Sequence, residues 1–362
     1  MWLCGGGRLW LCASVGGPLL GRVIDAAGRP IDGKGPIFTS EQVPINAAAP
    51  NALERARIDT PVAMGVRVLD TLVTLGKGQR IGLFAGSGVG KSTLMSMIAR
   101  GTNAEICVIA LVGERGREVR EFLEDDLGDE GLSRSVVVVA TSDESPMLRR
   151  RAAFTATRVA EYYRDAGMDV LLMMDSLTRT CMAQREIGLS VGEPPATRGY
   201  PPSTFSMMAQ LLERAGAGSV GSVTGIYTVL VDGDDYNEPI ADQARSILDG
   251  HVVLDRKLAV AGHYPAIDAL GSISRVASKI LTREQKEAAN HLRQVMGAKR
   301  QVQDLLDVGA YQPGTNPQVD IAIKYEDEIN GFLTQRTEDK VEFDQSWSQL
   351  FDLYQAFKEE EQ

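Results

Sequence analysis

The sequence is poor in the residues that build metal centres, disulfide frameworks and membrane spans. Its 362 residues include only four cysteines and three histidines, with no CxxC motif and no histidine at ligand spacing, which argues against a zinc site or a disulfide framework. No apolar run reaches the ~18 residues needed to cross a bilayer. The net charge of −10 disfavours nucleic acid as a partner, because phosphate backbones are bound mainly by clustered Lys and Arg. We therefore expect a cytoplasmic protein.

Residues 1–19 form an atypical amino-terminal segment. The run MWLCGGGRLWLCASVGG contains two Leu-Cys pairs, but it lacks a basic start and three glycines interrupt its apolar part, so it does not fit a signal peptide. We expect a poorly ordered or foreign leader. The following LGRVIDAAGRPIDGKGP alternates around turn signals and predicts a short hairpin over residues 20–36.

Strand-like and helix-like stretches alternate from Arg80 onward. The strand-like runs lie at residues 106–113, 135–141, 169–176, 222–231 and 251–256. Such alternation predicts an α/β domain with a mostly parallel, covered sheet, which we place at residues 20–280. After about residue 281 the sequence is polar with a helical period and has no strand-like run, which predicts a helical C-terminal domain over residues 281–362.

A glycine-rich loop of the Walker A form carries the strongest chemical signal. It consists of Ala85 in place of the first glycine, followed by Gly86, Ser87, Gly88, Val89, Gly90, Lys91, Ser92 and Thr93. The glycines let successive backbone N–H groups surround a phosphate at the start of a helix, whose dipole favours anions. We expect Lys91 to reach the β- and γ-phosphates and the Ser92 hydroxyl to ligate Mg²⁺. The sequence therefore predicts a site for ATP.

Two carboxylates follow apolar strands and are candidates for the chemistry. Asp175 ends LLMMD, where a second metal ligand is needed, although a strand-terminal Asp can also cap a helix. Glu114 follows ICVIALVG at the end of a strand that we expect beside the P-loop strand. There it could activate the attacking water, and a surface Glu in a charged turn is an equal alternative.

Two further residues have no clear role from their position alone. Arg275, in GSISRVAS, could stabilise charge in phosphoryl transfer, an effect of roughly 10³–10⁵-fold where it occurs. Tyr264, in HYPAID, could stack on an adenine. An exposed arginine and a core or turn tyrosine are the alternatives, and the sequence pattern does not decide between them.

Taken together, the motifs resemble one family closely. The runs FAGSGVGKS, GERGREVREF, DSLTR, AQREIGLSVGEPPATRGYPPS, DGDDYNEPIADQARSILDGHVVLDR and AGHYPAIDALGSISR are similar, in this order, to those of the flagellar type III export ATPases. That family is related to the catalytic subunit of rotary ATP synthases. The resemblance covers roughly residues 20–355 and implies a RecA-like P-loop core, ATP hydrolysis with Mg²⁺, and coupling to protein export.

The resemblance also implies roles for individual residues. Glu114 matches the glutamate that activates the hydrolytic water, and Arg115 and Arg179 match arginines that approach the phosphates. Tyr264 matches the aromatic residue that stacks on adenine, and Tyr311 a second aromatic residue flanking the base. Arg275 matches an arginine finger that reaches the neighbouring subunit, so the implied assembly is a hexameric ring with shared sites.

The resemblance departs from the family at the amino terminus. Family members begin with a small β-barrel domain before the region that matches GRVIDAAGRPIDG, and residues 1–19 resemble nothing in that barrel. We therefore expect the barrel to be missing from this chain. Because the barrels help to close the ring, this weakens the expectation of a hexamer.

The resemblance leads to a principal hypothesis and several alternatives. The principal one is an ATPase that energises flagellar export, working peripherally at the inner-membrane export apparatus with gate, stalk and regulator proteins and chaperone–cargo complexes. An ATPase of virulence-type injectisomes is the nearest alternative. A rotary ATP synthase subunit, an RNA-translocating transcription terminator and a P-loop scaffold that binds without hydrolysing are more distant ones.

Overall fold

A mostly parallel β-sheet forms the centre of the molecule in the computed structural model, which describes residues 12–39, 41–231 and 238–361. The strands are β1 (Cys12–Val15), β2 (Arg22–Asp25), β3 (Glu41–Pro44), β4 (Pro61–Val62), β5 (Leu75–Gly76), β6 (Arg80–Ala85), β7 (Ile106–Glu114), β8 (Ser135–Thr141), β9 (Asp169–Asp175), β10 (Gly216–Ala217), β11 (Ser222–Leu230), β12 (Gly250–Val253) and β13 (Ile273–Ser274). Within these ranges, the central sheet has nine strands in the order β13-β12-β6-β11-β9-β7-β8-β2, with β10 beside β11. All its pairings are parallel except β12–β13 and β10–β11.

Helices cover both faces of this sheet and continue alone toward the carboxyl terminus. They are α1 (Arg67–Thr71), α2 (Lys91–Gly101), α3 (Gly116–Glu121), α4 (Gly128–Ser133), α5 (Pro146–Asp165), α6 (Leu177–Ser190), α7 (Pro202–Leu212), α8 (Pro239–Ile247), α9 (Arg256–Val260), α10 (Ala277–Ile280), α11 (Arg283–Gln301), α12 (Gln303–Asp307), α13 (Pro317–Lys324), α14 (Glu326–Leu333) and α15 (Phe343–Glu360). A π-helical turn, Phe122–Leu127, joins α3 to α4. Among the described residues, no helix is both long and apolar enough to cross a membrane.

The apolar strands are buried on both faces, as expected of a parallel sheet with helices on either side. Successive residues of β8 alternate between two cores: Val137 and Val139 pack in one, Val136 and Val138 in the other. The first core also contains the residues of α2 and of the C-terminal helices, and the second those of α5 to α8. The period of two residues in a strand explains this division. The predicted α/β fold with a helical C-terminal part is confirmed.

The amino-terminal residues in the structure pack against the core. Strand β1 pairs antiparallel with β3, and the Cys12 carbonyl accepts a hydrogen bond of 3.2 Å from the Arg151 guanidinium. Residues 12–19, which the sequence analysis assigns to a leader, are thus ordered and joined to α5, and residues 1–11 lie outside the described residues. The predicted hairpin is present in a short form. An antiparallel Ile24–Pro30 bridge is flanked by hydrogen bonds from the Asp25 N–H to the Arg29 carbonyl and from the Ile31 N–H to the Val23 carbonyl. Strand β2 also joins the central sheet beside β8.

A buried ion pair holds the second core together. Arg214 and Glu161 are 2% and 1% exposed, and Arg214 Nε lies 2.6 Å from Glu161 Oε1. Its Nη2 donates to the other carboxylate oxygen at 2.8 Å, and its Nη1 to the Ile45 carbonyl at 2.9 Å. This bidentate geometry satisfies the two charges in a place where water does not reach them.

Candidate active site

The glycine-rich loop connects β6 to α2, as the Walker A motif requires. Gly88 and Gly90 have φ angles of +75° and +88°, a left-handed conformation that glycine adopts without steric cost. Val89 between them is 1% exposed and anchors the loop in the core. Lys91 then begins α2, so the helix points its free N–H groups and its positive dipole end at the loop.

Lys91, Glu114 and Asp175 meet at the carboxyl edge of the sheet. The Lys91 ammonium forms an ion pair with Asp175, and its Nζ lies 3.6 Å from Glu114 Oε1. Asp175 also accepts a hydrogen bond of 2.7 Å from the Thr228 hydroxyl. Both carboxylates are buried, at 8% exposure for Glu114 and 3% for Asp175. The structure thus brings together the three residues that the sequence analysis places at the phosphates, the metal and the water.

The sheet topology explains this meeting and corrects one expectation. The strand that carries Glu114 was expected beside the P-loop strand, but β11 and β9 lie between β6 and β7. The carboxyl ends of all four parallel strands lie at one edge, so Glu114 still reaches Lys91. The register of β7 shifts between Val112 and Glu114, and Gly113 at this bulge has a φ of +75°. Bulges of this kind re-aim a side chain next to a site.

The environment of Glu114 favours its protonated form. Burial, together with the neighbouring charge of Asp175, raises its pKa from 4.5 to about 7, although Lys91 and Arg179 act in the opposite direction. Its Oε1 atom is buried without a hydrogen-bond partner among the described residues. A carboxyl group whose pKa lies near neutrality is suited to accept a proton in catalysis.

Glu118 belongs to the same cluster and was missed by the sequence analysis. It lies on α3, four residues beyond Glu114 at the end of β7. Despite partial burial, a hydrogen bond with Glu114 and the charge of Arg115 lower its pKa. Helical spacing does not predict this pairing, because Glu114 ends strand β7 and Glu118 lies on α3.

The two arginines that the resemblance assigns to the phosphates lie at the rim of this cluster. Arg179 on α6 has its Nε 3.5 Å from Glu114 Oε1 and donates from Nη1 to the Gly113 carbonyl. Arg115 lies farther out, with a side chain 71% exposed, and its Nη1 is 2.9 Å from Glu118 Oε1. Both guanidinium groups are therefore held by the carboxyl groups of the cluster, with their roles toward phosphate remaining predictions.

Ser92 and Asp175 fit the coordination preference of Mg²⁺. Ser92 follows Lys91 in the first turn of α2 and is exposed, while Asp175 contacts Lys91 from the end of β9. A hydroxyl and a carboxylate are the oxygen donors that Mg²⁺ takes, and this ion commonly uses only one or two protein ligands beside the substrate phosphates. The residues present therefore fit the ion.

Tyr264 lies beside the P-loop. Its side chain is 44% exposed, and its ring edge is so close that a Cβ added at Gly90 would lie 3.3 Å from it. The ring faces a cavity of about 580 Å³, which is lined by Thr93, Gly262, Tyr264, Thr334, Gln335, Arg336, Thr337 and Asp339. Residues 334–339, hereafter the wall segment, connect α14 to α15. No periodicity or motif in the sequence marks this segment.

Tyr311 does not take part in this cavity. It lies between α12 and α13; its hydroxyl donates to Asp320 Oδ1 at 3.0 Å, and the Asn316 carbonyl oxygen lies 3.2 Å from the same hydroxyl. Tyr311 is therefore not among the residues that line the cavity beside Tyr264, whereas the wall segment is. The role beside the base that the resemblance assigns to Tyr311 stays a prediction.

Arg275 lies at the opposite edge of the sheet. Its main-chain N–H donates to the Asp249 carbonyl at 2.9 Å, and its Nη2 to the Arg245 carbonyl at 3.1 Å. Asp249 also accepts from the N–H of Arg80, the first residue of β6, whereas the P-loop follows the last. The six residues of β6, at about 3.3 Å each, separate the two ends by roughly 17 Å or more. Arg275 does not belong to the site of its own chain.

Comparisons with known proteins agree with this geometry. Residues 65–274 match the nucleotide-binding domain of the ATP synthase alpha/beta family, and residues 281–352 match the T3SS EscN ATPase C-terminal domain. The chain is similar to the flagellum-specific ATP synthase of Bacillus subtilis (strain 168), at 54% identity over 95% of this chain and 78% of that protein. It is also similar to the type 3 secretion system ATPase of Xanthomonas euvesicatoria, at 53% identity over 91% of this chain and 74% of that protein.

A solved structure extends the likeness to three dimensions. The assembled ATPase EscN of enteropathogenic E. coli, in complex with its central stalk EscO, has a TM-score of 0.89 and 47% identity, over 95% of this chain and 83% of that one. Identity at this level over most of both chains carries more than the fold alone. The chain belongs to the ATP synthase alpha/beta family, in the branch formed by the flagellum-specific ATP synthases and the type III secretion ATPases.

Proposed function

We propose that this protein hydrolyses ATP with Mg²⁺ and thereby energises the export of flagellar proteins through a type III secretion apparatus. The observation that carries the proposal is the meeting of Lys91, Glu114 and Asp175 beside the P-loop. A P-loop that only binds nucleotide does not need a buried carboxyl group whose pKa is close to neutrality at this place.

Each residue of the cluster has a separate task in this reaction. The N–H groups of the P-loop and the Lys91 ammonium hold the β- and γ-phosphates. Ser92 and Asp175 hold Mg²⁺, which neutralises charge on the phosphates when it is bound. Glu114, in its ionised form, orients the attacking water and accepts its proton. Arg115 and Arg179, which now contact Glu118 and Glu114, would turn toward the phosphates once these carboxyl groups engage other partners.

Arg275 completes the site of a neighbouring subunit in this proposal. It lies at the edge of the sheet away from its own P-loop and is joined there to the carbonyl of Arg245. An arginine supplied by a neighbour stabilises transition-state charge, with effects of roughly 10³–10⁵-fold on turnover. A ring of six such subunits would contain six shared sites.

Mixing two inactive variants tests the shared site. Arg275→Ala and Glu114→Gln should each abolish most turnover, and an equimolar mixture should regain a fraction of it. The reason is that some interfaces then pair an intact Glu114 with an intact Arg275. A mixture no more active than its parts, in assemblies verified by mass, would show that Arg275 acts within its own chain or not at all.

The proposal extends to the partners and the place of action. EscN, to which the chain is similar, is assembled and bound to a central stalk. We propose a corresponding stalk for this protein, together with gate and regulator proteins at the inner-membrane export apparatus, where it acts from the cytoplasm. The helical part after residue 281 is proposed to receive chaperone–cargo complexes.

An injectisome ATPase is the second candidate. The curated relatives of flagellar and of virulence-type systems are 54% and 53% identical to the chain, a difference too small to separate the two. The runs EPPATRGYPPS and GSISR favour the flagellar assignment. Deletion of the gene distinguishes them: loss of motility with intact virulence-type secretion supports the flagellar role, and the reverse supports the injectisome.

Phosphate release measured against protein concentration, with mass determined in parallel, tests the enzymatic core of the proposal. Specific activity should rise as the assembled species forms and should disappear in Lys91→Ala. A protein that binds ATP but releases no phosphate at any degree of assembly would be a nucleotide-binding scaffold instead.

A further inference from the structure

The wall segment is part of the base cavity and also the link between two C-terminal helices. It faces Tyr264 across the cavity and connects α14, which ends at Leu333, to α15, which begins at Phe343. Its position therefore depends on what holds it to the P-loop domain. Several of those contacts are made by one residue, Gln335.

Gln335 is almost fully buried, at 6% exposure, and all its bonding capacity toward the core is used. Its Nε2 donates to the Gly65 carbonyl at 2.8 Å and to the Asp339 carbonyl at 3.1 Å. Its Oε1 accepts from the N–H of Arg67 at 3.1 Å. Its own main-chain N–H donates to the Tyr264 carbonyl at 2.9 Å. One residue thus joins the wall segment, the start of α1 and the tyrosine that faces the cavity.

The partners of Gln335 are themselves fixed to the P-loop helix. Gly65 has a φ of +69° and lies against Gly101, the last residue of α2, so closely that an added Cβ would be 2.5 Å from the Gly101 Cα. Arg100, also at the end of α2, donates from Nη2 to the Thr337 carbonyl of the wall segment at 2.8 Å. The end of α2 and the wall segment are therefore held in one rigid arrangement.

Arg67 secures the same segment from the other side. Its guanidinium donates to the Phe332 carbonyl at 2.9 Å and the Gly331 carbonyl at 3.1 Å, and it also contacts the Thr334 carbonyl. These carbonyl groups end α14 and have no partner within the helix. With Arg67 at the end of α14, the side chain of Gln335 joins the wall segment to Gly65 and to the N–H of Arg67. It thereby supports the main-chain bond from Gln335 to the Tyr264 carbonyl.

We infer that Gln335 is a positioning residue for the nucleobase: it fixes the wall segment against Tyr264 and so sets the width of the slot that receives the base. This inference rests on the proposed function. Gln335 does not read the base, since its amide groups are already bonded to the protein. Its loss should weaken the part of binding that comes from the base and leave the part that comes from the phosphates.

The affinities of the full chain for two ligands, measured by calorimetry in the presence of Mg²⁺, separate the contribution of the base from that of the phosphates. ADP carries a base, and inorganic pyrophosphate does not. Gln335→Leu removes three side-chain hydrogen bonds, and we expect ADP to bind about tenfold more weakly, equivalent to roughly 1.4 kcal/mol, with pyrophosphate affinity within about twofold of the wild type. Gln345→Leu, at an exposed position of α15, is the matched control and should change neither affinity.

A second variant keeps the test decisive if Gln335→Leu folds poorly. In Gln335→Glu, the carboxylate faces the two carbonyl groups of Gly65 and Asp339 and should be repelled by them. When protonated, it can donate to one of them, so ADP binding relative to the wild type should recover as the pH is lowered from about 8 to about 6. No recovery would contradict the assigned hydrogen bonds.

The outcomes separate the inference from the proposed function. Equal loss of ADP and pyrophosphate binding in Gln335→Leu, or no loss of ADP binding, would overturn the positioning role. A wild-type chain that binds neither ligand would instead overturn the proposed function.

Discussion

Replacing Glu114 with Gln should separate nucleotide binding from hydrolysis. The substitution keeps the volume of the side chain, which is 8% exposed, and removes its ability to accept a proton. Because the P-loop, Lys91 and Ser92 remain, ATP binding should persist. Turnover should fall by roughly 10²–10⁴-fold, the usual contribution of a general base.

The same substitution should change how stability depends on pH. Burial and Asp175 raise the pKa of Glu114 from 4.5 to about 7, so the folded protein holds a proton in a range where the unfolded chain has released it. The wild type therefore loses stability as the pH rises through about 7. At about 1.4 kcal/mol for each pKa unit, the difference between the pKa of Glu114 in the unfolded and in the folded protein corresponds to roughly 3 kcal/mol of stability. Glu114→Gln should be free of this loss.

Two measurements check this reasoning. Phosphate release by the wild type should give a kcat/KM that rises with pH through about 7. Denaturant unfolding should show that the advantage of Glu114→Gln over the wild type grows between about pH 5 and about pH 8. Glu121→Gln, at an exposed position of the same region, is the matched control. Unchanged turnover in Glu114→Gln would refute the role as base, and a stability difference independent of pH would refute the buried, protonated carboxyl group.

Two further predictions concern the fold that supports the site. Gly65→Ala should lower the free energy of unfolding by about 3 kcal/mol or more, since it adds a clash with backbone to the strain of a left-handed φ. Gly33→Ala, at a φ of +70° with open space around it, should lower it by only about 1 kcal/mol. Equal losses of the two variants in denaturant unfolding would contradict the close contact at Gly65. Arg214→Met should cost about 3 kcal/mol because it removes the bidentate partner of a buried carboxylate, which keeps its contact with Arg158 at 3.0 Å. Arg283→Met, at a side chain 91% exposed, should leave the free energy of unfolding unchanged. Equal losses in Arg214→Met and Arg283→Met would contradict the role of burial.

The parts of the site that the sequence predicts are those whose chemistry is local. The P-loop is a contiguous run, and its turn, its lysine and the start of its helix follow from glycine conformations and a helix dipole. Asp175 ends an apolar strand, and the carboxyl ends of parallel strands share an edge, so its approach to Lys91 could be expected. Glu114 could be proposed on the same ground but not decided.

The parts that the sequence does not predict depend on packing between distant segments. The order of strands places β11 and β9 between β6 and β7, and no local pattern encodes that order. The wall segment is held near Tyr264 by Gln335, Arg67 and Arg100, which are distant from it or from one another in the sequence. Tyr311, by contrast, is an aromatic residue of suitable type whose hydroxyl is bonded to Asp320. Residue type alone could not show that the wall segment, and not Tyr311, lines the cavity beside Tyr264.

If Arg275 completes the site of a neighbouring subunit, as proposed, each subunit has a direction. One surface would offer a catalytic cluster and another an arginine, so two subunits would join head to tail rather than through identical patches. An open row of such subunits always leaves one cluster without its arginine at one end and one unused arginine at the other. Only closure of the row makes the number of complete sites equal to the number of subunits. The subunit that closes such a ring would form two interfaces at once, one with each of its neighbours.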